Sequence, residues 1–238
     1  MIIALQALLV LGVLGTALWY RKFPDSQRFL KVIAGLQLVE FLSVNIWYRV
    51  AGYLAYPLPL YHCRLAKILL ILFAFLPRKT RRTLRPLFIY AVVMAFFGPI
   101  SSFVYPNPDP FQWPHITLVS YFFGHFNLIV FAMAYMMEDE LRWTWKDLVH
   151  SQILLLVFNL GILVVARQTQ TNYSYLLESP LFNAKLQAFG PTVFVVIMFA
   201  AYAILYSVSF FIMKSIEHKA KKEIFLKREL LVASKETM

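Results

Sequence analysis

The sequence contains a single cysteine, Cys63, and few charged residues. One cysteine excludes a disulfide within the chain and any metal site built from several thiolates. Charged residues make up 15% of the 238 residues, whereas soluble domains average about 25%. Hydrophobic residues make up 60%. This composition excludes an ordinary soluble domain and indicates a membrane protein.

The sequence is instead rich in long apolar runs. A helix that crosses a bilayer needs about 20 mostly apolar residues, and runs of this kind recur along the chain. We therefore predict an all-α fold, a polytopic membrane bundle of seven transmembrane helices. The predicted spans are 2–20, 29–55, 58–76, 85–104, 116–137, 149–167 and 190–213. Residues 1–213 then form the transmembrane domain, and residues 214–238 form a basic cytoplasmic tail.

Acidic residues are scarce, with 12 Asp and Glu against 23 Lys and Arg, which gives a net charge of +11. The basic residues are concentrated in alternate connections and in the tail, and the intervening connections carry only Arg167 and Lys185. Because positive residues stay on the cytoplasmic side, we predict an N-terminus outside and a C-terminus inside. The positive-inside rule explains the net charge, so the charge does not indicate nucleic-acid binding. We therefore predict a multi-pass protein of the cell membrane with no nucleic-acid partner.

Polar residues inside the predicted spans are the candidates for function, because ionisable groups in a bilayer are costly and usually face the bundle interior. The set comprises Glu40, Asn45, Arg49, His62, Cys63, Arg64, Lys67, His125, Asn127 and Asn159. At 1.5 Å per residue, Cys63 lies about 7.5 Å and His125 about 13.5 Å from the outer ends of their spans. We therefore expect these two side chains to be able to meet in the outer half of the bundle.

The residues around Cys63 favour a reactive thiolate. Pro59 suits the first turn of a helix, which would put Cys63 in the second turn. Arg64 is adjacent and Lys67 lies four residues on, on the same helix face. Nearby cations stabilise a thiolate, which is the nucleophilic form of cysteine. The alternative is that Cys63 is simply a small buried hydrophobic residue.

His125 has several possible roles: a general base, a proton relay, a haem ligand or a hydrogen-bonded interior residue. His62 could complete a haem pair, and His62 with Cys63 could complete a zinc site. Because no histidine spacing repeats, we predict neither a cofactor nor a metal. We also expect Lys67 to pair with Glu40, and Asn159 to form an interhelical hydrogen bond.

Three motifs carry a resemblance to a known family. They are Leu58-Pro59-Leu60-Tyr61-His62-Cys63, then Phe122-Phe123-Gly124-His125, and then Thr171-Asn172-Tyr173-Ser174-Tyr175-Leu176 followed by Gly190-Pro191. In these motifs and their order, residues 30–210 resemble the YwaF-like integral membrane family of bacteria, whose animal relative is transmembrane protein 164. The family usually has a histidine two residues before the cysteine. This chain has Tyr61 there, with His62 next to the cysteine, so the role of His62 stays open.

The resemblance implies a lipid acyltransferase in the bacterial plasma membrane, with a phospholipid substrate and membrane lipids as its partners. Cys63 would attack a phospholipid ester, and His125 would be the base. Supporting or substrate-binding positions are His62, Arg64, Lys67, Arg49, Asn172 and Tyr173, with Asn172 or Tyr173 as oxyanion donor and Arg49 or Arg64 as phosphate ligand. A lipid hydrolase, a proton-coupled or small-solute transporter and a non-catalytic lipid-binding protein remain alternatives. The acyl donor, the acceptor and the oligomeric state stay open.

Overall fold

A computed structural model describes the fold of residues 26–53, 58–136 and 143–236. Its helices are α1 (Ser26–Val50), α2 (His62–Phe75), α3 (Arg78–Thr83), α4 (Arg85–Val104), α5 (Ile116–Met136), α6 (Trp145–Thr169), α7 (Asn183–Gln187) and α8 (Pro191–Glu236), with a short 3-10 turn at Tyr173–Tyr175. These described ranges contain no strand. The predicted all-α fold is confirmed.

Five of these helices have the length and apolar composition needed to cross a membrane. They are Gln27–Val50, Arg85–Val104, Ile116–Met136, Trp145–Thr169 and Pro191–Ile216. They correspond to the second, fourth, fifth, sixth and seventh predicted spans, so the chain is a multi-pass membrane protein. The first predicted span, 2–20, lies outside the described residues. The count of seven and the orientation of the termini stay predictions.

The third predicted span, 58–76, forms a shorter helix than expected. Helix α2 has 14 residues, about 21 Å at 1.5 Å per residue, whereas the hydrocarbon core is about 30 Å thick. Tyr61 is extended, with φ −97° and ψ 135°, and Leu60 accepts a hydrogen bond from Ser174 Oγ at 2.8 Å. The prediction that Pro59 opens the helix is therefore wrong. Cys63 lies in the first turn, not the second.

Helix α4 forms the centre of the bundle. All residues from Phe88 to Ala95 are buried, because α2, α5, α6 and α8 surround this part of α4. Helix α1 packs against α2 and α5 at the side. Large apolar side chains such as Val39, Val157 and Val196 remain exposed on the outer helices. This arrangement suits a bundle whose outer surface faces lipid.

One end of the bundle is fixed by an ion pair. Arg85, the first residue of α4, donates to both carboxylate oxygens of Asp147 at 2.6 and 2.9 Å. Asp147 also forms a capping box with Thr144 at the start of α6, which satisfies backbone N–H groups that the helix leaves free. Helix α8 continues past residue 213 to Glu236, so the proposed boundary between bundle and tail falls inside a continuous helix.

The opposite end, where α1 and α4 end and α2 and α5 begin, is here called the loop end. Connections 105–115 and 170–190 meet there. The side chain of Asn107 donates to the Tyr175 hydroxyl at 3.2 Å, and Tyr48 donates to Asp109. Connection 105–115 also packs the Phe111 ring on Trp47, with ring centroids 5.1 Å apart. These contacts hold the polar residues of the loop end in place.

Candidate functional site

Cys63 packs directly against α4 at Gly98. A β-carbon placed on Gly98 would lie 3.2 Å from the β-carbon of Cys63, tighter than ordinary van der Waals contact. The glycine therefore allows the first turn of α2 to approach α4. The Cys63 side chain is partly exposed, and the backbone N–H groups of Cys63 and Arg64 lie near its sulfur. First-turn N–H groups of a helix lack helical acceptors and attract negative charge.

His125 lies on α5 with its ring held at one nitrogen. Nδ1 is 2.5 Å from the carbonyl oxygen of Tyr121, and a carbonyl can only accept, so Nδ1 carries the proton. In a neutral imidazole Nε2 is then the acceptor, and it lies 3.2 Å from Ser102 Oγ. The tautomer that this arrangement requires leaves a basic lone pair on Nε2.

Cys63 and His125 flank the same turn of α4, from Gly98 to Ser102, which we call the Gly98–Ser102 turn. Gly98 contacts Cys63, and Ser102 contacts His125. Across the part of the chain that the structure describes, the hydrogen-bond partners of the imidazole are Ser102 and Tyr121, and the sulfur is not among them. The turn thus brings both predicted catalytic residues into one small region without a direct hydrogen bond between them.

His62 faces away from this turn and is bound on both sides. Its Nε2 lies 2.8 Å from Asn159 Oδ1 and its Nδ1 lies 2.7 Å from the Tyr90 hydroxyl. The ring packs on Tyr202 with centroids 4.9 Å apart, and only 5% of the residue is exposed. The predicted interhelical hydrogen bond of Asn159 is confirmed. His62 ties the start of α2 to α4, α6 and α8.

The arrangement of the histidines also bears on a metal or haem site. Each ring nitrogen of His62 and of His125 has a protein partner. Within the described ranges, His, Cys, Asp and Glu residues form no group of three that could hold a metal ion. The zinc and haem alternatives therefore receive no support from the positions of His62, Cys63 and His125.

Lys67 and Glu40 form the predicted ion pair, with Nζ 2.6 Å from Oε2. Gln37 donates to the same carboxylate at 3.1 Å, and Ser120 donates to its other oxygen. The side chain of Lys67 is 9% exposed and that of Glu40 is 6% exposed, so both are buried. A buried charge pair is tolerated only when such additional hydrogen bonds complete it. Sequence analysis missed Gln37 and Ser120.

Gly124, next to His125, makes room for this ion pair. A β-carbon on Gly124 would lie 2.9 Å from Lys67 Nζ and 3.0 Å from Glu40 Oε1. We predict that Gly124→Ala lowers the free energy of unfolding by about 1–3 kcal/mol, the usual cost of overpacking. Thermal unfolding in detergent measures the change.

Gly161→Ala is the matched control for this substitution. Gly161 lies inside α6 and has nothing within 4 Å of an added β-carbon. Alanine there should raise stability slightly, since glycine costs about 1 kcal/mol in a helix interior. Equal unfolding temperatures for the two variants would contradict the proposed packing of Gly124 on the ion pair.

The two predicted arginines lie at the loop end. The guanidinium of Arg64 lies over the rings of Tyr48 and Tyr61, at 5.5 and 5.4 Å from their centroids, so cation–π contacts hold it. Arg49 is exposed in the last turn of α1. The charges of Arg64 and Lys67 act on both the Cys63 thiol and the His125 ring. The Lys67 charge is balanced by Glu40, so Arg64 contributes more of the positive charge near the Gly98–Ser102 turn than Lys67 does.

Asn172 and Tyr173 stabilise connection 170–190. The amide of Asn172 donates to the carbonyl of Glu178 at 2.8 Å and accepts from two backbone N–H groups at 3.0 Å. Tyr173 is fully buried. Tyr61 donates to the backbone oxygen of Asn172 at 3.5 Å. These contacts fix the extended segment ahead of α2, and the predicted role of Asn172 or Tyr173 as oxyanion donor stays a prediction.

Sequence reasoning missed Gly98, Ser102 and Tyr121 as members of this site. Serine and glycine are not ionisable and cost little in apolar segments, so neither residue type stands out in the sequence. One signal was present: Gly98 and Ser102 are four residues apart, as are Tyr121 and His125, so each pair shares a helix face. Which faces meet depends on how α4 and α5 pack.

Comparison with known proteins identifies the family of this chain. No curated protein and no solved structure matches the sequence. The model of the TMEM164 family matches residues 1–214, a range that includes four of the membrane-crossing helices, all but the last two residues of the fifth, and every residue of the site described above. This multi-pass membrane protein therefore belongs to the TMEM164 family.

Proposed function

We propose that the chain is a membrane-embedded, cysteine-dependent acyltransferase acting on phospholipid acyl chains at the outer leaflet. The observation that carries the proposal is the placement of Cys63 and His125 on either side of the Gly98–Ser102 turn. A nucleophile, a basic nitrogen and positive charge come together at one end of an apolar bundle. Phospholipid is the acyl donor that such a location makes accessible.

The first step forms a thioester. His125 Nε2, whose lone pair is fixed by the Nδ1–Tyr121 hydrogen bond, accepts the thiol proton. The Cys63 sulfur attacks the carbonyl carbon of a phospholipid ester, so that the carbon–sulfur bond forms and the carbon–oxygen bond to the glycerol breaks. His125 returns the proton to the departing lysophospholipid alkoxide. A base that acts first as acceptor and then as donor is the usual partner of a covalent nucleophile.

The second step releases the acyl chain. An acceptor hydroxyl or amine gives its proton to His125 and attacks the thioester carbonyl, and the Cys63 thiol is regenerated. With water as acceptor the same two steps are a hydrolysis. Product analysis separates the two outcomes, because transfer yields a new acylated lipid and hydrolysis yields a free fatty acid.

Charge in the region supports both steps. The tetrahedral intermediates carry a negative oxygen, and first-turn N–H groups of α2 are available to it because Tyr61, the residue before the helix, provides no side-chain cap. Losing one oxyanion donor typically costs about 2.7–4 kcal/mol of transition-state stabilisation. Arg64 is the residue suited to bind the lipid phosphate, since guanidinium groups bind phosphate through paired hydrogen bonds. Arg49 is a second candidate for that phosphate.

The proposal predicts an acyl adduct on Cys63. Purified protein incubated with a phospholipid of defined acyl chains should gain the mass of one acyl group on the peptide that contains Cys63. Neutral hydroxylamine should remove the adduct, because it cleaves thioesters and leaves ordinary esters largely intact. Intact-protein and peptide mass spectrometry make the measurement.

Two variants complete the experiment. Cys63→Ala should carry no hydroxylamine-labile adduct on the peptide that contains position 63 and should transfer acyl chains far more slowly than the wild type, whereas Cys63→Ser, with a poorer nucleophile of similar size, should fold identically and accumulate an oxygen ester slowly. Acyl transfer by Cys63→Ala at the wild-type rate would show that the cysteine is not the nucleophile.

A further inference from the structure

We infer that Ser102 is a second nucleophile of this site, activated by His125 and able to carry an acyl group as an oxygen ester. The inference that the group carried is acyl rests on the proposed function. The reactivity of the serine itself rests on the geometry of Ser102, His125 and Tyr121. None of the sequence motifs pointed to this serine.

The three residues form the arrangement that activates a serine. Ser102 Oγ lies 3.2 Å from His125 Nε2, within the range of about 2.6–3.2 Å expected for a nucleophile and its base. The opposite nitrogen of the ring is oriented by the Tyr121 carbonyl at 2.5 Å. Nucleophile, base and orienting group therefore stand in sequence, as nucleophilic catalysis requires.

The hydroxyl of Ser102 lies within hydrogen-bond distance of two acceptors, His125 Nε2 and the Gly98 carbonyl oxygen. Ser102 Oγ also lies 3.0 Å from the carbonyl of Gly98, which is the ordinary contact of a serine inside a helix. A hydroxyl has one proton, and neither Gly98 O nor the unprotonated Nε2 can donate one. The hydroxyl can therefore donate to either acceptor, and when it donates to the imidazole the pair is set for proton transfer.

The backbone of Ser102 is also held by a hydrogen bond from α5. The Tyr121 hydroxyl donates to the Ser102 carbonyl at 3.0 Å, so α5 contacts this residue through both its backbone and its side chain. Ser102 is partly exposed and lies near the end of α4. A reagent arriving from the loop end can therefore reach it, whereas a fully buried serine would be unreactive.

The chemical step is balanced. Ser102 Oγ attacks the carbonyl carbon of an acyl donor ester, forming a carbon–oxygen bond to the enzyme and breaking the bond to the donor's alcohol. The hydroxyl proton moves to His125 Nε2 and then to the departing alkoxide. No oxidant or cofactor is needed. Cys63 and Ser102 then share one base from opposite ends of the Gly98–Ser102 turn.

A fluorophosphonate probe tests this inference on the full-length protein in lipid nanodiscs. Such probes phosphonylate a serine that is activated by a base, with loss of fluoride. Peptide mass spectrometry should place the label on Ser102 in the wild type and in Cys63→Ala, and no label should appear in Ser102→Ala. His125→Asn should slow labelling by about 10²-fold or more, the usual contribution of a general base.

Ser101 supplies the matched control, because it is exposed on the same turn of α4 and its substitution by alanine should leave labelling unchanged. A wild-type protein that unfolds cooperatively but takes no label on Ser102 would overturn the inference. Equal labelling rates in the wild type and His125→Asn would overturn it as well.

The inference and the proposed function fail in different ways. Label on Ser102 without any acyl adduct on Cys63 would support Ser102 as an activated nucleophile and contradict the cysteine mechanism. An acyl adduct on Cys63 with an unlabelled Ser102 would reject the serine and leave the cysteine mechanism standing.

Discussion

Replacing His125 with asparagine is expected to slow acyl transfer by about 10²–10⁴-fold, the range that a general base contributes. The amide nitrogen of asparagine has no basic lone pair, so the thiol proton of Cys63 loses its acceptor. The rate of acyl-enzyme formation in a single turnover, measured with purified protein and phospholipid, gives the effect directly. The overall fold should persist, because the imidazole is partly exposed and, within the described ranges, its hydrogen bonds go to Ser102 and to its own helix turn.

His115→Asn is the matched control for this experiment. His115 also lies at the loop end, but its Nδ1 is 2.7 Å from Thr117 Oγ1 and its ring stacks on Phe111, away from the Gly98–Ser102 turn. Its substitution should leave acylation within a few-fold of the wild-type rate. If His125→Asn acylated as fast as His115→Asn, the assignment of His125 as base would be wrong.

Replacing Lys67 with methionine is expected to lower the free energy of unfolding by about 3–5 kcal/mol, the typical result of breaking a buried ion pair by removing one partner. The substitution leaves the Glu40 carboxylate buried without its cation, next to the neutral donors Gln37 and Ser120. Methionine has similar length and packs well in apolar surroundings, so the loss reports the charge more than the volume. Reversible unfolding in mixed detergent micelles measures it.

The double variant Glu40→Gln with Lys67→Met tests the cause of that loss. Removing both charges should restore most of the stability, because paired buried charges contribute little beyond what neutral groups provide. Lys185→Met, at an exposed lysine of α7, should change stability by no more than about 0.5 kcal/mol. A double variant as unstable as Lys67→Met alone would show that the lysine stabilises the bundle by packing and not by its charge.

The ion pair also bears on the alternative of a transporter, in which Glu40, Lys67 and His125 would relay protons. Glu40 already accepts hydrogen bonds from Lys67, Gln37 and Ser120, and Lys67 lies over the Phe41 ring at 6.0 Å. A pair satisfied in this way stabilises the contact of α1 with α2 and α5. The observed contacts favour a structural role for the pair.

The local sequence was sufficient to identify most of the helices. Apolar runs of about 20 residues have few alternatives to a membrane helix, and five of the predicted spans correspond to described helices. The start of α2 was predicted too early, from Pro59. The segment before His62 is held instead by the Ser174–Leu60 contact, which joins residues more than a hundred positions apart.

For the candidate site, too, the sequence identified some residues and only the tertiary structure identified the others. Composition and spacing selected Cys63, His125, Glu40 and Lys67, because each is an expensive group in an apolar segment. Ser102 could not be selected on that ground, since serine is common and inexpensive in helices. Only its distance from His125 distinguishes it.

What the sequence determined by itself was the class of protein, the positions of most membrane helices and the short list of polar residues that a bilayer makes costly. These follow from hydrophobicity and charge, which act residue by residue. The tertiary structure decided which residues meet: Cys63 on Gly98, His125 on Ser102, and His62 between Tyr90 and Asn159. Such contacts depend on the rotation and depth of one helix against another, and side-chain packing across the whole bundle sets both.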